Sequence, residues 1–280
     1  MLRCGRFELL LNRPLVMGVV NVTPDSFSDG GQHQNAEAAI AHAFALVDEG
    51  ADILDIGGES TRPGAQQISV QTEWKRIAPV LEALLAAGVP VSVDTRHAEV
   101  MRLALALGVD MINDVQGFRD PASIDAVAGT QAALCVMHMR GEPATMQQAP
   151  VYRDVVAEVR SFLAARLAEL RGRGIARDQL LVDPGIGFGK TLEDNLRLLR
   201  ETRSLAELGA PVLVGVSRKS MIGQLTGRDL AGRLAGSLAG ALAAVARGAA
   251  IVRVHDVAAT RDALTVWHAV AQEAFTAVDS

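Results

Sequence analysis

Short apolar runs alternate along the chain with longer amphipathic segments. Eight runs are nearly continuous in hydrophobicity, which is typical of strands that are buried on both faces of a parallel sheet. Glycines end four of the intervening helical segments, where a left-handed C-terminal cap is expected: Gly50, Gly108, Gly174 and Gly209. We predict strands at 15–22, 51–59, 89–95, 109–115, 132–139, 180–185, 210–217 and 249–257.

Eight strand–helix units in 280 residues favour a closed barrel. An open parallel sheet of the same size would leave two unprotected edges. We therefore predict an α/β fold, a (β/α)8 TIM barrel, as a single domain over residues 1–280. One segment departs from the pattern, because Pro79 lies well inside the helical segment 71–88 and predicts a kink or a split there.

Composition and charge narrow the function classes. The net charge is −5, the pI is about 5.7 and no block of lysine and arginine occurs, which argues against a nucleic-acid or polybasic membrane surface. The apolar stretch near the N-terminus is too short for a secretory signal or a membrane span, so we expect a cytoplasmic protein without membrane association. Cys4 and Cys135 share no metal-ligand spacing and are predicted to be free thiols.

Polar residues end all eight predicted strands, where barrels of this type carry their chemistry. These strand ends hold Asn21, Glu59 to Arg62, Asp94, Asn113, His138, Asp183, Ser217 to Lys219, Arg253, His255 and Asp256. Asp94, Asn113 and Asp183 directly follow apolar residues, so we expect them in a concavity where an unpaired carboxylate is costly. Such acceptors suit a flat heterocycle with an amide-like or amidine-like edge.

Cationic residues at the same strand ends indicate a second, anionic ligand group. Phosphate is the simplest anionic group that these cationic side chains could bind: Arg62, Arg218, Lys219, Arg253 and His255. The glycine-rich stretch VDPGIGFGK (182–190) lacks the spacing of a phosphate-binding P-loop, so we interpret it as a turn. We expect His138 to be a hydrogen-bonded barrel residue rather than a ligand, and Met137 to line the pocket.

Eight motifs, in order and across essentially the whole chain, resemble those of the dihydropteroate synthase family. They are NVTPDSFSDGG (21–31), GGESTRPGA (57–65), SVDT (92–95), INDV (112–115), MHM (137–139), LLVDPGIGFGK (180–190), VGVSRKSMIG (214–223) and RVHDV (253–257). The resemblance implies condensation of 6-hydroxymethyl-7,8-dihydropterin pyrophosphate with p-aminobenzoate. The products would be 7,8-dihydropteroate, for folate synthesis, and pyrophosphate. It also implies a homodimer.

The resemblance also implies roles for individual residues. The pterin ring would be held by Asp183, Asn113, Asp94, Lys219 and Arg253, and the pyrophosphate by Arg253 with His255. Asn21 would contribute to a bound Mg²⁺ ion, to which phosphate supplies most of the countercharge. The aminobenzoate site would be built from Phe27, from Thr61, Arg62 and Pro63 on a second loop, and from Phe188 and Ser217.

An SN1-like path follows from the implied substrate, because a CH2 group on an electron-rich dihydropterin supports a delocalised cation. Asp94 would stabilise this cation, while Arg62, Arg253 and His255 stabilise the departing anion. No protein nucleophile is needed, and Lys219 completes the predicted catalytic set of Asp94, Lys219, Arg62 and His255.

Three other interpretations remain open at this point. A pterin-dependent methyltransferase domain would have a similar barrel and acidic rim but no use for the GESTRPG and RVH motifs. A metal-dependent amidohydrolase barrel would carry an H-x-H motif where this chain has Asn21 to Thr23. A catalytically silent paralogue would bind pterin without turnover, although the combination of Asn21, Arg62, Lys219 and His255 argues against it.

Overall fold

The computed structural model describes residues 1–23, 32–60, 67–141, 146 and 150–276. A two-stranded hairpin precedes an eight-stranded parallel sheet, and all eight sheet strands lie within the segments predicted from the sequence. The strands are β1 Leu2–Cys4, β2 Phe7–Leu9, β3 Leu15–Asn21, β4 Ile53–Gly57, β5 Val91–Asp94, β6 Met111–Asp114, β7 Ala133–Met137, β8 Leu180–Asp183, β9 Leu213–Val214 and β10 Ile251–Val254.

The sheet closes on itself. Its order is β8-β7-β6-β5-β4-β3-β10-β9, and the two outer strands meet through a parallel bridge between Val182 and Val212. At this junction the Val182 amide donates to the carbonyl of Pro211 over 2.9 Å. Helices cover the outside of the sheet, so the predicted TIM barrel is confirmed.

The helices alternate with the strands along the chain. Each glycine predicted to end a helix has the expected positive φ, between +76° and +107°. The helices are α1 Gln32–Asp48, α2 Val70–Leu84, α3 Ala98–Leu107, α4 Pro121–Val127, α5 Val155–Gly172, α6 Leu192–Arg200, α7 Thr202–Ala206, α8 Ser220–Thr226, α9 Leu234–Val245 and α10 Val257–Thr276.

Helix α2 runs through Pro79 as one helix, so the predicted split is wrong. Its buried residues, which include Ile77, Val80 and Leu81, lie on both sides of the proline. Pro79 itself is exposed, so water can hydrate the carbonyl that loses its helical hydrogen bond. Packing of the turns before and after Pro79 therefore outweighs the local cost of the proline.

The inner face of the barrel changes from apolar to polar along several strands, including β6 and β8. On β6, Met111 belongs to the lower apolar layer and Asn113, two residues later, lies on the same face. Leu181 and Asp183 on β8 follow the same two-residue period. The outward-facing residues between them join the core beneath the helices, and the polar side chains of β6 and β8 lie at the carboxyl ends of the strands.

The N-terminal hairpin packs against the amino ends of the strands. Leu2 and Cys4 are fully buried in the same apolar layer as Met111 and Leu181. This hairpin was not among the predicted elements, and Gly5 forms its turn with φ +58°. Cys4 and Cys135 are both buried and neither forms a disulfide, as predicted.

None of the helices in the described part of the chain has the length and hydropathy that a membrane span requires.

Asp110 fastens the hairpin to the barrel and provides a test of this contact. Its carboxylate is buried and accepts from Arg6 Nε over 3.1 Å and from the Val91 amide over 3.1 Å. We expect Asp110→Ala to lower the free energy of unfolding in urea by about 1 to 3 kcal/mol, because the buried amide loses its acceptor.

The matched control is Asp125→Ala, which removes an exposed ion pair with Arg173 between α4 and α5. It should change the free energy of unfolding by less than about 0.5 kcal/mol. Equal effects of the two substitutions would contradict the role given to Asp110.

Candidate active site

Arg253 joins the carboxyl ends of three strands. Its Nε lies 2.6 Å from Asp55 Oδ2 on β4, and its Nη2 lies 2.9 Å from Asp94 Oδ2 on β5. Asp55 also accepts from Ser92 Oγ over 2.6 Å and from Asn113 Nδ2 over 3.2 Å. The structure thus brings Asp94, Asn113 and Arg253 together as predicted, around an aspartate to which no chemistry had been assigned.

Burial changes the protonation behaviour of this cluster. Desolvation raises the pKa of Asp94 to about 7, although the Arg253 guanidinium pulls it down. Desolvation alone would lower the pKa of Arg253, but the carboxylates of Asp55 and Asp94 outweigh it and raise that pKa. Arg253 therefore stays charged, while Asp94 can change its charge near neutral pH.

Two acceptor atoms in the cluster point to a ligand. Asp94 Oδ1 and Asn113 Oδ1 are buried and have no hydrogen-bond partner among the described residues. A buried polar atom without a partner costs about 1 to 3 kcal/mol, so such atoms are uncommon in native proteins. A ligand that places N–H donors against both atoms would remove this cost.

Asp183 and Lys219 form the opposite side of the cluster. Asp183 Oδ1 accepts from the Gly185 amide over 2.7 Å, and Lys219 Nζ donates to the carbonyl of Ile186. Desolvation raises the pKa of Asp183 against the opposing charge of Lys219. Desolvation likewise lowers the pKa of Lys219 to about 8 against the charge of Asp183. Both side chains can therefore exchange hydrogen bonds with a polar ring.

The glycine-rich stretch after β8 is a turn held by a buried lysine. Lys190 Nζ donates to the carbonyls of His138 over 3.2 Å and Phe188 over 3.0 Å, and lies 3.0 Å from His138 Nδ1. Desolvation and the nearby Lys190 charge lower the pKa of His138 to about 3. Because the lysine binds these carbonyls, the turn interpretation is confirmed, and His138 is a hydrogen-bonded barrel residue as predicted.

Phe188 projects from this turn towards Lys219, whose Nζ lies 4.7 Å from the centre of the ring. Met137 belongs to a small apolar cluster against which Phe188 packs. These two predicted pocket residues therefore share one apolar wall beside the polar cluster.

Ser217 and His255 meet at the ends of β9 and β10. His255 Nδ1 lies 3.0 Å from Ser217 Oγ, which also accepts from the His255 backbone amide over 3.2 Å. Arg218 behaves differently from the other predicted cations. Its exposed side chain pairs with Asp256, with 3.0 Å between Nε and Oδ2. Its charge is thus neutralised away from the buried cluster.

Asn21 ends β3 and lies beside an open space. It is in register with Gly57 on β4, which is in turn in register with Asp94 on β5. A Cβ atom added at Gly57 would lie 3.9 Å from Asn21 Oδ1 and 3.7 Å from Asp94 Cβ, so the glycine keeps the space between them open.

The described residues contain no cluster of three or more His, Cys, Asp or Glu side chains that could hold a metal ion. A single neutral amide oxygen fits Mg²⁺ that takes its other ligands from phosphate and water, but it would not hold the ion alone.

Phe27, Thr61, Arg62 and Pro63 lie outside the described residues. The residues on both sides of 61–66 are hydrogen-bonded to one another. Glu59 accepts from Arg96 Nε over 2.8 Å, and the Ile68 amide donates to the same carboxylate over 3.0 Å.

Sequence reasoning considered Asp55 only as a hydrogen-bonding residue of the barrel, with no chemistry, and missed Ser92 and the anchoring role of Lys190. A signal for Asp55 and Ser92 was present in the sequence. Asp55 lies two residues before Gly57 on β4, and Ser92 lies two residues before Asp94 on β5, so each pair shares the inner face of its strand. No local pattern indicates that Lys190 donates to carbonyls at 138 and 188.

Comparison with known proteins identifies the class of barrel. A family model described as "Pterin binding enzyme" matches residues 17–255. A dihydropteroate synthase of Neisseria meningitidis serogroup C is 55% identical over 95% of this chain and 96% of its own length. The Escherichia coli K12 dihydropteroate synthase is 48% identical over 92% of both chains.

Solved structures agree with these sequence relatives. The Xanthomonas albilineans dihydropteroate synthase with 4-aminobenzoic acid has a TM-score of 0.91 and 55% identity, covering 96% of this chain and 97% of that one. The Burkholderia cenocepacia enzyme complexed with 7,8-dihydropteroate has a TM-score of 0.89 and 50% identity, covering 98% of both. The chain belongs to the dihydropteroate synthase family, as its motifs indicated, and not to the methyltransferase or amidohydrolase alternatives.

Gly185 provides a test of the turn that carries Phe188. Its φ is +66°, and an added Cβ would lie 1.9 Å from the carbonyl oxygen of His138. Gly129→Ala is the matched control, because Gly129 has φ +76° but nothing within 4 Å of an added Cβ. We expect Gly185→Ala to lower the free energy of unfolding by about 1 to 3 kcal/mol more than the control, since only it creates a clash. Equal losses in chemical denaturation would contradict this.

Proposed function

We propose that the protein condenses 6-hydroxymethyl-7,8-dihydropterin pyrophosphate with p-aminobenzoate, forming 7,8-dihydropteroate and releasing pyrophosphate. The observation that carries this proposal is the pair of buried acceptors without partners, Asp94 Oδ1 and Asn113 Oδ1, beside Asp183 in one barrel. Relatives support the choice of ligands, since family structures were solved with 4-aminobenzoic acid and with 7,8-dihydropteroate.

The pterin ring matches the donors and acceptors of the cluster. Asp183 would accept from the ring amide N–H and from one N–H of the amino group, Asn113 Oδ1 from the other amino N–H, and Asp94 from a remaining ring N–H. Lys219 would donate to the carbonyl and nitrogen on the other side. The bonds of Arg253 to Asp55 and Asp94 use the edge of its guanidinium, which leaves the flat face for stacking on the ring.

The reaction proceeds by loss of the leaving group before attack. The bond between the CH2 carbon and the pyrophosphate oxygen breaks, and its electron pair leaves with the oxygen. Asp94, as the carboxylate, stabilises the positive charge that spreads over the ring, while Arg253, His255 and Arg62 stabilise the pyrophosphate. The amine of p-aminobenzoate then bonds to the CH2 carbon and loses a proton, so no protein nucleophile takes part. Lys219 holds the ring in place throughout.

Magnesium is part of this proposal. Asn21 would hold the ion, beside the space that Gly57 leaves open. Bound Mg²⁺ would neutralise charge on the pyrophosphate and make it a better leaving group.

The aminobenzoate would lie against the wall formed by Phe188 and Met137, with Ser217 nearby. Phe27, Thr61, Arg62 and Pro63 would complete this site, and the apolar ring of Phe27 would gain its contacts when the second substrate is bound. These contacts are proposed from the motifs.

A direct assay tests the proposed activity. The protein, mixed with the pterin pyrophosphate, p-aminobenzoate and Mg²⁺, should release pyrophosphate and form 7,8-dihydropteroate in equal amounts. Omission of p-aminobenzoate removes dihydropteroate formation, and omission of Mg²⁺ should slow both products. A protein that binds the pterin substrate tightly but releases no pyrophosphate would be the catalytically silent paralogue instead.

Asp183→Ala should weaken binding of the pterin pyrophosphate by about 1.5 to 3 kcal/mol in calorimetry, because charge-assisted hydrogen bonds are lost. Asp183→Asn, which can still accept from the Gly185 amide, should lose a similar amount. Asp178→Ala is the control, since this exposed aspartate pairs with Arg3 of the hairpin. Unchanged affinity in both Asp183 variants would contradict the proposal that Asp183 binds the amide and amino edge of the pterin.

We also propose a homodimer formed through α8, α9 and the segment between them. This region exposes Leu225, Leu230 and Leu234, each more than two-fifths accessible. Leu230→Asp with Leu234→Asp should produce monomers in sedimentation velocity, since charge at an apolar interface is costly. Val266→Asp, at an exposed position on α10, should leave the dimer intact. Monomers from Val266→Asp, with an intact dimer in the double variant, would place the interface elsewhere.

The cytoplasmic location stays a prediction from the sequence.

A further inference from the structure

Asp55 has no contact with substrate in the proposed mechanism, yet it holds the centre of the polar cluster. It is fully buried on β4. Ser92 Oγ donates to its Oδ1, and Arg253 Nε and Asn113 Nδ2 both donate to its Oδ2. One carboxylate thus contacts two of the side chains that are proposed to hold the pterin ring.

The contact with Asp55 determines the orientation of the Asn113 amide. Asp55 Oδ2 accepts from the Arg253 guanidinium, so the Asn113 atom that faces the same oxygen, 3.2 Å away, is the Nδ2 donor. The other end of the amide, Oδ1, is then the atom that can accept from a ligand. This oxygen is buried and has no partner in the described part of the chain, as expected for an atom that waits for a ligand donor.

Asp55 constrains Asp94 in the same way, through Arg253. Because Nε of Arg253 is bound to Asp55, its Nη2 is directed to Asp94 Oδ2 over 2.9 Å. The second oxygen, Asp94 Oδ1, is left without a partner among the described residues. The ligand therefore meets two acceptors, and Asp183 adds a third on the side of the cluster that it forms with Lys219.

We propose that Asp55, held in place by the hydrogen bond from Ser92 Oγ, is a positioning residue. By orienting the Asn113 amide, it makes the site selective for a ring edge that donates hydrogen bonds. The inference rests on the proposed pterin site and adds its source of selectivity. Without Asp55 the Asn113 amide can rotate and present Nδ2, which would accommodate a ring that carries a carbonyl where the pterin carries its amino group.

A pair of ligands measures this selectivity. Pterin carries the amino group, and lumazine carries a carbonyl oxygen in its place. In calorimetry, wild-type protein should bind lumazine more weakly than pterin by about 30-fold or more, because an acceptor then faces buried acceptors. We expect Asp55→Ala to reduce this ratio of dissociation constants to about threefold, since the amide can rotate.

Asp55→Asn is the conservative variant. Its carbonyl oxygen can still accept from Arg253 and Asn113 while its amide nitrogen donates to Ser92 Oγ. It should therefore keep the wild-type ratio within about threefold. A purely structural loss would weaken both ligands alike and leave the ratio unchanged.

Ser92→Ala provides a milder change if Asp55→Ala fails to fold. It removes the 2.6 Å bond to Asp55 and should lower the ratio by about threefold. Ser123→Ala is its matched control, because Ser123 is fully buried on α4 and its Oγ has no partner among the described residues. The control should leave the ratio unchanged.

The outcomes separate this inference from the proposed function. If wild-type protein prefers pterin but neither Asp55→Ala nor Ser92→Ala lowers the ratio, Asp55 does not set selectivity and the inference is overturned. If wild-type protein binds the two ligands equally, or neither of them, the proposed pterin site fails and the inference fails with it.

Discussion

The ion pairs between Arg253 and the carboxylates of Asp55 and Asp94 are the constraint on which the site depends. Closing the sheet into a barrel forces the polar ends of the strands into a confined space, where each charge must find a partner. Arg253 satisfies one oxygen of each aspartate. The second oxygen of Asp55 accepts from Ser92, whereas the second oxygen of Asp94 has no partner among the described residues and is left for a ligand.

The electrostatics of the site suit a reaction in which charge separates. Desolvation moves the pKa values of Asp94 and Lys219 towards neutrality, to about 7 and about 8, before any ligand binds. A ligand that donates to Asp94 favours its ionised form, and the site then holds a carboxylate where positive charge develops. The free-energy cost of burying and orienting these charged groups therefore arises during folding and not during the reaction.

The sequence predicted the barrel and most of the candidate site for a physical reason. Parallel strands buried on both faces must be apolar, so a polar residue at the end of such a run, such as Asp94 or Asp183, stands out. Asp55 did not stand out, because its partner Arg253 lies 198 residues away along the chain. The split at Pro79 was wrong because local propensity does not include the packing of the buried face of α2. The hairpin at residues 2–9 was missed because its strands are only three residues long.

The bridge between Val182 and Val212 has a mechanical consequence. Strands β8 and β9 are joined by this isolated bridge, whereas the neighbouring strands share continuous ladders among the described residues. Asp183 follows Val182 on one side of this seam, and the chain beyond β9 leads to Lys219 on the other. A ring held by both residues, as proposed, would span this junction of the barrel wall. Substrate binding would then also strengthen the contact between β8 and β9.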